Sequence, residues 1–480
     1  MRAQALIGMV AVVLLLASAT GCSGAQLAEE RDGVFSQAVE ASLQGDSPFA
    51  ARAAHHYLRS GTVDDPRYDR AIRLLADNLR DLKLSYGASL WYFEIASARR
   101  DVELVEDAVV ALAEIVQTYP HDQWTLIDGF VATADISGLT TDAQAFVHYH
   151  QGLHSLRQGQ TEWTQGFFDK LPEDSPYKAR ARYVMAVDKI ADYQLDAASE
   201  ELESILEDFE GDLPEDLSDD IHRALARLAF EEQRFEEALE RYQSIRETAP
   251  DDPNLLLEMA WTEFYLHNYR RSLGLLLALD APSFQNLIAP ERFMLEALNL
   301  QQLCQFEPAR TAVVRLAGQY GQALDDLRQG MPLNESQALR SAARLREASE
   351  DLAGYRLRLI RERELVERNR PRLGGQLSND LADLYDRALT EVDRREQELL
   401  SREMEQVAME LLGAAEGVRL ILHEISVALL RGRDRVEGTA PSAVFEVPRG
   451  GEQVFYKFTG EFWTDEIDDL IVPLEDRCIE

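Results

Sequence analysis

Small and aromatic residues return at a fixed interval of 34 residues through the middle of this 480-residue chain. The matched positions are Ala226 and Ala260, Phe235 and Tyr269, and Ala238 and Ser272. A period of about 20 to 50 residues is typical of repeat proteins, in which each unit buries its apolar face only against its neighbours. Small side chains let the two helices of a unit approach closely, and large ones fill the flanks. The spacing predicts stacked helical hairpins.

The unit from Asp219 to Asp252 has the spacing of a tetratricopeptide repeat. It resembles that family through Leu225, Ala226, Phe235, Ala238, Tyr242 and Pro250. The resemblance implies a mostly α-helical protein whose residues 51–323 form an α-solenoid of six clear units and one weak unit near Tyr68 and Ala71. A solenoid of this kind has a concave groove in which protein segments bind.

In tetratricopeptide repeats, fixed positions of each unit tend to face the groove. Carried onto this sequence by register, those positions are Tyr183, Val187, Arg223, Arg227, Leu257, Trp261, Phe264, Tyr265, Met294 and Leu298. This predicted lining is apolar and aromatic, which suits an amphipathic helix or an extended peptide of a partner. The alternative is that another part of the same chain, either a helical hairpin or the amino-terminal segment, occupies the groove.

After residue 323 the repeat fades and an apolar residue recurs every seven positions. The recurring residues are Leu345, Leu352, Leu359, Val366 and Leu373. This spacing is typical of a coiled-coil seam. We expect Pro371 and Gly374-Gly375 to break the helix, and a second helix from Ser378 to about Arg431 to fold back. Residues 324–431 are thus predicted to form a long antiparallel helical hairpin.

The last region, residues 432–480, has the character of strands. Residues 443–447 and 453–458 alternate between apolar and polar side chains, with Gly450-Gly451 as a turn between them, which predicts a small C-terminal β-hairpin.

The sequence leaves the pairing of two cysteines open. Cys304 lies on a predicted repeat helix and Cys478 in the tail, and since the sequence does not set their distance, they are either joined by a disulfide or separate.

The amino terminus has the pattern of a secretory signal. Arg2 precedes an apolar run from Ala5 to Ala19 that is shorter than the roughly 20 residues needed to span a bilayer. The run ends at residues 19–22, Ala-Thr-Gly-Cys, which resemble a bacterial lipobox. The resemblance implies that residues 1–21 are a lipoprotein signal, that Cys22 is acylated with chains such as palmitate, and that residues 22–50 are an anchor and linker. The alternative is an ordinary cleaved signal.

Charge and motif content exclude several functional classes. The formal net charge is -36 and the few basic clusters are interleaved with Glu, which disfavours a nucleic-acid partner. No short signature of catalysis or nucleotide binding occurs, so we expect neither an enzyme nor a cofactor nor a small-molecule substrate. His148, His150 and His154 have metal-like spacing, but Gln151 stands where a zinc hydrolase needs Glu. No metal site is predicted, and a zinc hydrolase is the enzyme alternative.

The signal, the repeats, the long charged helices and the tail resemble a set of envelope proteins. The tail runs from Phe455 to Ile467 and ends in Arg477-Cys478. Together these features resemble outer-membrane lipoproteins of myxobacteria, some of which belong to the adventurous gliding-motility apparatus. The resemblance implies a lipid-anchored, periplasm-facing scaffold that binds envelope proteins and helps hold a trans-envelope complex together. The alternative is an assembly factor that binds peptides of outer-membrane barrel proteins.

Overall fold

The structure is a computed structural model that describes residues 31–118, 136–249, 252–284, 286–430 and 470–478. Every regular element in these ranges is a helix, which confirms the predicted helical class, and the ranges contain no strand. The predicted β-hairpin at residues 443–458 lies outside the described residues. So do the predicted signal peptide and Cys22.

The chain divides into two compact units. Among the described residues, the first unit contains those up to Ala181 together with Leu352–Arg394, and the second contains those of Arg182–Asp351 together with those from Arg395 onward. Each unit thus combines repeat helices with part of the long helices that follow them in the sequence.

The repeat helices of the first unit start within the predicted linker, because residues 31–43 are already helical and are labelled α1 here. They continue as α2 (Ser47–Ser60), α3 (Tyr68–Asp81), α4 (Ser85–Ala98), α5 (Val102–Thr118), α6 (Thr141–Arg157) and α7 (Thr161–Phe168). Helix α8 (Pro176–Ala191) begins in the first unit and ends in the second. Helix α2 packs on α3, α3 on α4, α4 on α5, and α6 on α7.

The repeat helices of the second unit pack in the same consecutive manner. They are α9 (Leu195–Asp208), α10 (Glu215–Glu231), α11 (Phe235–Thr248), α12 (Pro253–Tyr265), α13 (Tyr269–Ala278), α14 (Glu291–Gln302) and α15 (Phe306–Arg328). A short helix, α16 (Gln337–Ala343), precedes the two long helices, α17 (Glu347–Leu373) and α18 (Gly375–Leu430).

Small residues twelve positions apart lie where two consecutive helices cross. All of them are buried, and the pairs are Ala76 and Ala88, Ala96 and Ala108, Gly152 and Thr164, Ala226 and Ala238, Ala260 and Ser272, and Ala297 and Ala309. The Ser272 hydroxyl donates to the carbonyl of Ala260 at 2.7 Å, so the two backbones approach closely there. Ala226, Ala260 and Ala297 occupy crossings, as the register predicts.

Three-residue turns connect many of these helix pairs, and in most of these turns the middle residue has a positive φ. The non-glycine residues in this position are Lys83, Tyr193, Gln233, His267 and Cys304, with φ between 51° and 62°. A left-handed residue reverses the chain within one step, which keeps the two helices in contact along their length. The cost of about 1–2 kcal/mol for a residue with a Cβ is offset by that packing.

Helices α17 and α18 form the predicted antiparallel hairpin within the first unit. Arg356 Nε lies 2.6 Å from Asp393, and Arg363 Nε lies 2.5 Å from Asp386. Of these two ion pairs, Arg356–Asp393 lies farther from the turn than Arg363–Asp386 on both helices, as antiparallel packing requires. Gly374 alone separates the two helices, and its φ of 79° supplies the reversal.

Two details of the predicted heptad seam are corrected by the structure. Pro371 lies inside α17 and does not break it. Proline removes one backbone hydrogen bond, but only two residues of the helix follow it, so the break falls at Gly374 instead. Leu345 precedes α17 and is 37% exposed, whereas Leu359 and Val366 are fully buried in the core of the first unit.

Buried polar contacts join this hairpin to repeat helix α4. One carboxylate oxygen of Glu362 accepts hydrogen bonds from the Tyr86 backbone N–H at 3.0 Å and from the Tyr385 hydroxyl at 2.7 Å. The Tyr385 hydroxyl in turn accepts from the Gly87 backbone N–H at 3.2 Å. The first N–H groups of a helix have no partner within it, so the hairpin caps α4 with a carboxylate and a phenol.

The remainder of α18 packs on repeat helices of the second unit. One shared cluster contains Phe293, Leu316, Met404, Val407, Leu411 and Val418, and another contains Ala297, Phe306, Ile421 and Ile425. Gly417 lies directly against the side chain of Met294. Part of the α14 surface is therefore covered by this chain's own long helix, as in the alternative that the sequence left open.

Residues 470–478, here called the C-terminal strap, lie on the second unit without regular secondary structure. The Val472 N–H donates to the carbonyl of Arg270 at 3.2 Å, and the Arg477 N–H donates to that of Leu303 at 3.1 Å. A disulfide joins Cys304 to Cys478, which decides between the two arrangements that the sequence allowed. The strap thus crosses α13 and is fixed at the turn between α14 and α15.

Candidate interaction cleft

An open cleft of about 440 Å³ lies on the second unit among helices α10, α11, α12 and α14. Its lining, called the aromatic cleft from here on, consists of Arg227, Phe230, Glu231, Tyr242, Glu258, Trp261, Tyr265 and Glu291. Helices α10, α12 and α14 are the first helices of successive repeat pairs. Stacking of the repeats therefore brings side chains together that are distant in the sequence.

Tyr265 is at the centre of an aromatic stack along one wall of the cleft. Its ring is stacked on Phe235 with centroids 5.0 Å apart, and on Trp261 with centroids 6.2 Å apart. Phe230 meets the Tyr265 ring edge-on at 5.4 Å. Tyr265 nevertheless remains 44% exposed. Because each such ring contact contributes about 0.5–1.5 kcal/mol, the wall is held in place while one aromatic surface stays open to water.

Polar side chains lie beside the aromatic stack, and two of them are paired, since Arg227 Nη2 lies 2.6 Å from Glu258. Next to the cleft, Arg223 pairs with Asp252. Burial disfavours the charged form of Arg227, but the hydrogen bond to Glu258 and the negative charge of that carboxylate together outweigh burial and raise the pKa of the guanidinium. Burial, and then the charge of Glu258 that accepts its hydrogen bond, raise the pKa of Tyr242. The acid, the phenol and the guanidinium form one local network.

Glu291 closes the cleft at the beginning of α14. Its pKa is raised above the ordinary value by burial first and then by the negative charges of Glu410 and Glu258. A hydrogen bond from Trp261 and the positive charge of Arg346 act in the opposite direction but do not cancel the rise. Negative charge is under-compensated at this end of the cleft.

The cleft contains three of the residues that the sequence assigned to a groove, namely Arg227, Trp261 and Tyr265. Phe264 packs edge-on against Trp261 with centroids 6.0 Å apart, and so supports the wall. Tyr183 lies close enough to Arg223 and Arg227 for their charges to oppose the rise in its pKa that burial and Asp220 cause. Val187, also on α8, is 42% exposed.

Three other assigned residues lie elsewhere. Leu257 is 5% exposed and belongs to the core of the second unit, because it faces the neighbouring helices rather than the groove. Met294 and Leu298 lie on α14 and share clusters with α18 side chains, including Ile421. The register placed them on the groove side, but the long helix covers that surface.

Sequence reasoning missed the acidic members of the cleft. Glu258 lies one helical turn before Trp261 and therefore on the same face of α12, which is a signal that the sequence contains. Glu291 contributes through the position of α14, which no local pattern reveals. Tyr242 is 2% exposed, as the large residues of a repeat unit are expected to be, and its hydroxyl contacts Glu258.

The histidine cluster on α6 is part of the packing of the first unit. His148 Nδ1 lies 3.1 Å from the side-chain oxygen of Gln151, and burial lowers the pKa of His148. His150 packs against Phe146 with ring centroids 4.6 Å apart, and burial lowers its pKa to about 3. Within the described ranges, no group of three or more His, Cys, Asp or Glu side chains has the geometry of a metal site.

No helix in the same ranges has the length and hydrophobicity needed to cross a membrane.

The chain matches neither a protein-family model nor a curated protein. Among solved structures, it is similar to a tetratricopeptide repeat protein from Parabacteroides merdae at 12% identity and a TM-score of 0.26, over 60% of this chain and 93% of that one. It is also similar to a signal-transduction ATPase with a tetratricopeptide repeat sensor from Pyrococcus horikoshii at 15% identity and a TM-score of 0.38, over 75% of this chain and 56% of that one. Because both TM-scores are low, the fold is described from the paired helices and helix crossings of this chain itself.

Proposed function

We propose that this chain is a non-enzymatic scaffold that binds a protein partner through the aromatic cleft. The observation that carries the proposal is the stack of Tyr265 on Trp261 and Phe235, held rigid by ring contacts while Tyr265 stays 44% exposed. Aromatic side chains in preorganised sites commonly dominate the free energy of protein–protein binding. Tyr and Trp also lose little conformational entropy on binding, because each has only two rotatable side-chain bonds.

The scaffold acts, in this proposal, at the periplasmic face of the outer membrane, anchored through acylated Cys22 and engaged in a trans-envelope complex such as a gliding-motility apparatus. Two observations support an envelope location. The apolar run ending at Gly21-Cys22 has the pattern of a lipoprotein signal. The Cys304–Cys478 disulfide is of the kind that persists in oxidising compartments and is rare in the cytosol.

The test replaces one aromatic residue of the cleft and measures partner recovery and stability on the same preparation. Trp261→Ala is expected to reduce recovery of crosslinked envelope proteins at least about fivefold, since loss of an aromatic hot spot costs more than about 1 kcal/mol. Trp163→Ala is the matched control, because Trp163 is 67% exposed on α7, which belongs to the first unit. Circular dichroism and thermal melts check that both variants are folded.

The identity of the recovered proteins separates the two envelope roles. Proteins of a motility complex support the scaffold, whereas recovery of the barrel-assembly machinery supports the assembly-factor alternative. Equal recovery by Trp261→Ala and Trp163→Ala would remove the cleft as the binding site.

A further inference from the structure

We propose that the aromatic cleft takes an arginine side chain from a basic segment of the partner. This inference rests on the proposed binding function and specifies the chemistry of the occupant. Three carboxylates, those of Glu231, Glu258 and Glu291, line the cleft against the one guanidinium of Arg227. Arg227 is already paired with Glu258 at 2.6 Å. A partner that brings one more positive charge complements what remains.

The position of Glu291 favours a cation over a neutral group. Its charged neighbours are Glu410 and Glu258 on the negative side and Arg346 on the positive side. Arg346 itself pairs with Glu410, so its charge is shared between the two acids. A carboxylate whose surroundings are already acidic gains most from an incoming positive charge.

The aromatic wall favours a guanidinium in particular. Tyr265, which is 44% exposed, and Trp261 line the same cleft as Glu291. A guanidinium is planar and stacks on aromatic rings while its N–H groups donate to carboxylates at the same time. A cleft of about 440 Å³ accommodates such a side chain together with the apolar residue next to it in the segment.

The experiment titrates the purified full chain with three short peptides at physiological ionic strength. The first repeats an Ala-Leu-Arg triplet, the second has neutral citrulline in place of arginine, and the third has glutamate there. Isothermal titration calorimetry is expected to show binding of the arginine peptide that is about tenfold tighter than that of the citrulline peptide, with the glutamate peptide weaker still.

Two variants with the same change of charge show where the arginine peptide binds. Glu291→Gln is expected to weaken the arginine peptide about five- to tenfold and to leave the citrulline peptide unchanged. Glu236 is exposed on α11 and lies outside the cleft lining. Glu236→Gln is therefore expected to change the binding of neither peptide. Equal losses in the two variants would mean that only the overall charge of -36 attracts the peptide, and would overturn the proposal.

Each alternative occupant of the cleft predicts a different result in the peptide titration. Equal binding of the arginine and citrulline peptides would assign the cleft to an apolar segment, and preference for the glutamate peptide would assign it to an acidic one. Binding of none of the three would mean that the cleft is closed to such peptides, for example by another part of this chain. Each result overturns the arginine assignment, but if Trp261→Ala still loses its partner while Trp163→Ala does not, the proposed function survives.

Discussion

Tyr385 is a residue whose single hydroxyl serves two partners. It donates to Glu362 at 2.7 Å and accepts from the Gly87 N–H at 3.2 Å, in the core of the first unit where Tyr385 is fully buried. Burial, and then the charge of Glu362, raise the pKa of the phenol, so it stays protonated and continues to donate. A helix start is thereby stabilised by a residue that lies nearly 300 positions away in the sequence.

Tyr385→Phe is expected to lower the free energy of unfolding by about 1–3 kcal/mol. The phenyl ring fills almost the same volume, but the Gly87 N–H loses its hydrogen-bond acceptor in a buried site. Urea titration followed by circular dichroism measures the change. Tyr193→Phe is the control, because Tyr193 is 88% exposed and its hydroxyl faces water. Equal stability of the two variants would contradict the cap.

The buried imidazole of His150 makes the free energy of unfolding depend on pH. Burial lowers its pKa from 6.5 to about 3, and His150 is only 4% exposed. Between these two pH values the unfolded chain binds more protons than the folded one, so the free energy of unfolding falls as the pH falls. The contribution of this residue between pH 7 and pH 5 is a loss of about 2 kcal/mol.

The test compares the wild-type chain with His150→Asn at both pH values. The substitution lowers stability at any pH through lost packing, so the readout is the difference in slope. The variant is expected to lose about 2 kcal/mol less than the wild type on going from pH 7 to pH 5. Parallel slopes would show that His150 titrates normally in the folded protein.

At the scale of elements, the C-terminal strap depends on one glycine of a repeat helix. The carbonyl of Leu470 lies directly against Gly274 of α13, where a Cβ would overlap it. The strap is fixed farther along by the hydrogen bond from Gln305 Nε2 to the carbonyl of Glu475 at 2.6 Å and by the disulfide. Helix α13 thus carries a residue of poor helix propensity because another backbone needs the space.

Gly274→Ala is expected to destabilise the protein by about 1–3 kcal/mol through overpacking, even though alanine is the better helix former. Gly318→Ala on α15 is the matched control, since nothing lies within 4 Å of the position its Cβ would take. That variant is expected to gain about 0.5–1 kcal/mol. Thermal melts measure both, and a gain in both variants would show that the strap leaves Gly274 free.

At the scale of the whole molecule, the proposed lipid anchor depends on Cys22. We expect Cys22→Ser to abolish acylation and to release the mature protein from membranes in carbonate washes, because the run from Ala5 to Ala19 is too short to anchor the chain by spanning the bilayer. Mass spectrometry of the membrane fraction measures the acyl chains. An acylated variant in that fraction would contradict the lipobox interpretation.

The sequence by itself determined the helical class, the order of the helices and the crossings. A small residue at a fixed register carries this information locally: Ala226 and Ala260 are small because two adjacent helices touch there. The hairpin of α17 and α18 was also predictable from local sequence. An apolar residue at every seventh position and the break at Gly374 are features of one continuous segment.

The tertiary structure alone decided which groove residues are open and which are covered. Leu257 and Trp261 lie one helical turn apart on α12, yet only Trp261 lines the cleft. Met294 is covered by α18, and Glu291 joins the cleft through the placement of α14. These outcomes depend on contacts between segments far apart in the chain, and the free energy of such contacts is set by burial and charge in three dimensions, which a local sequence pattern does not record.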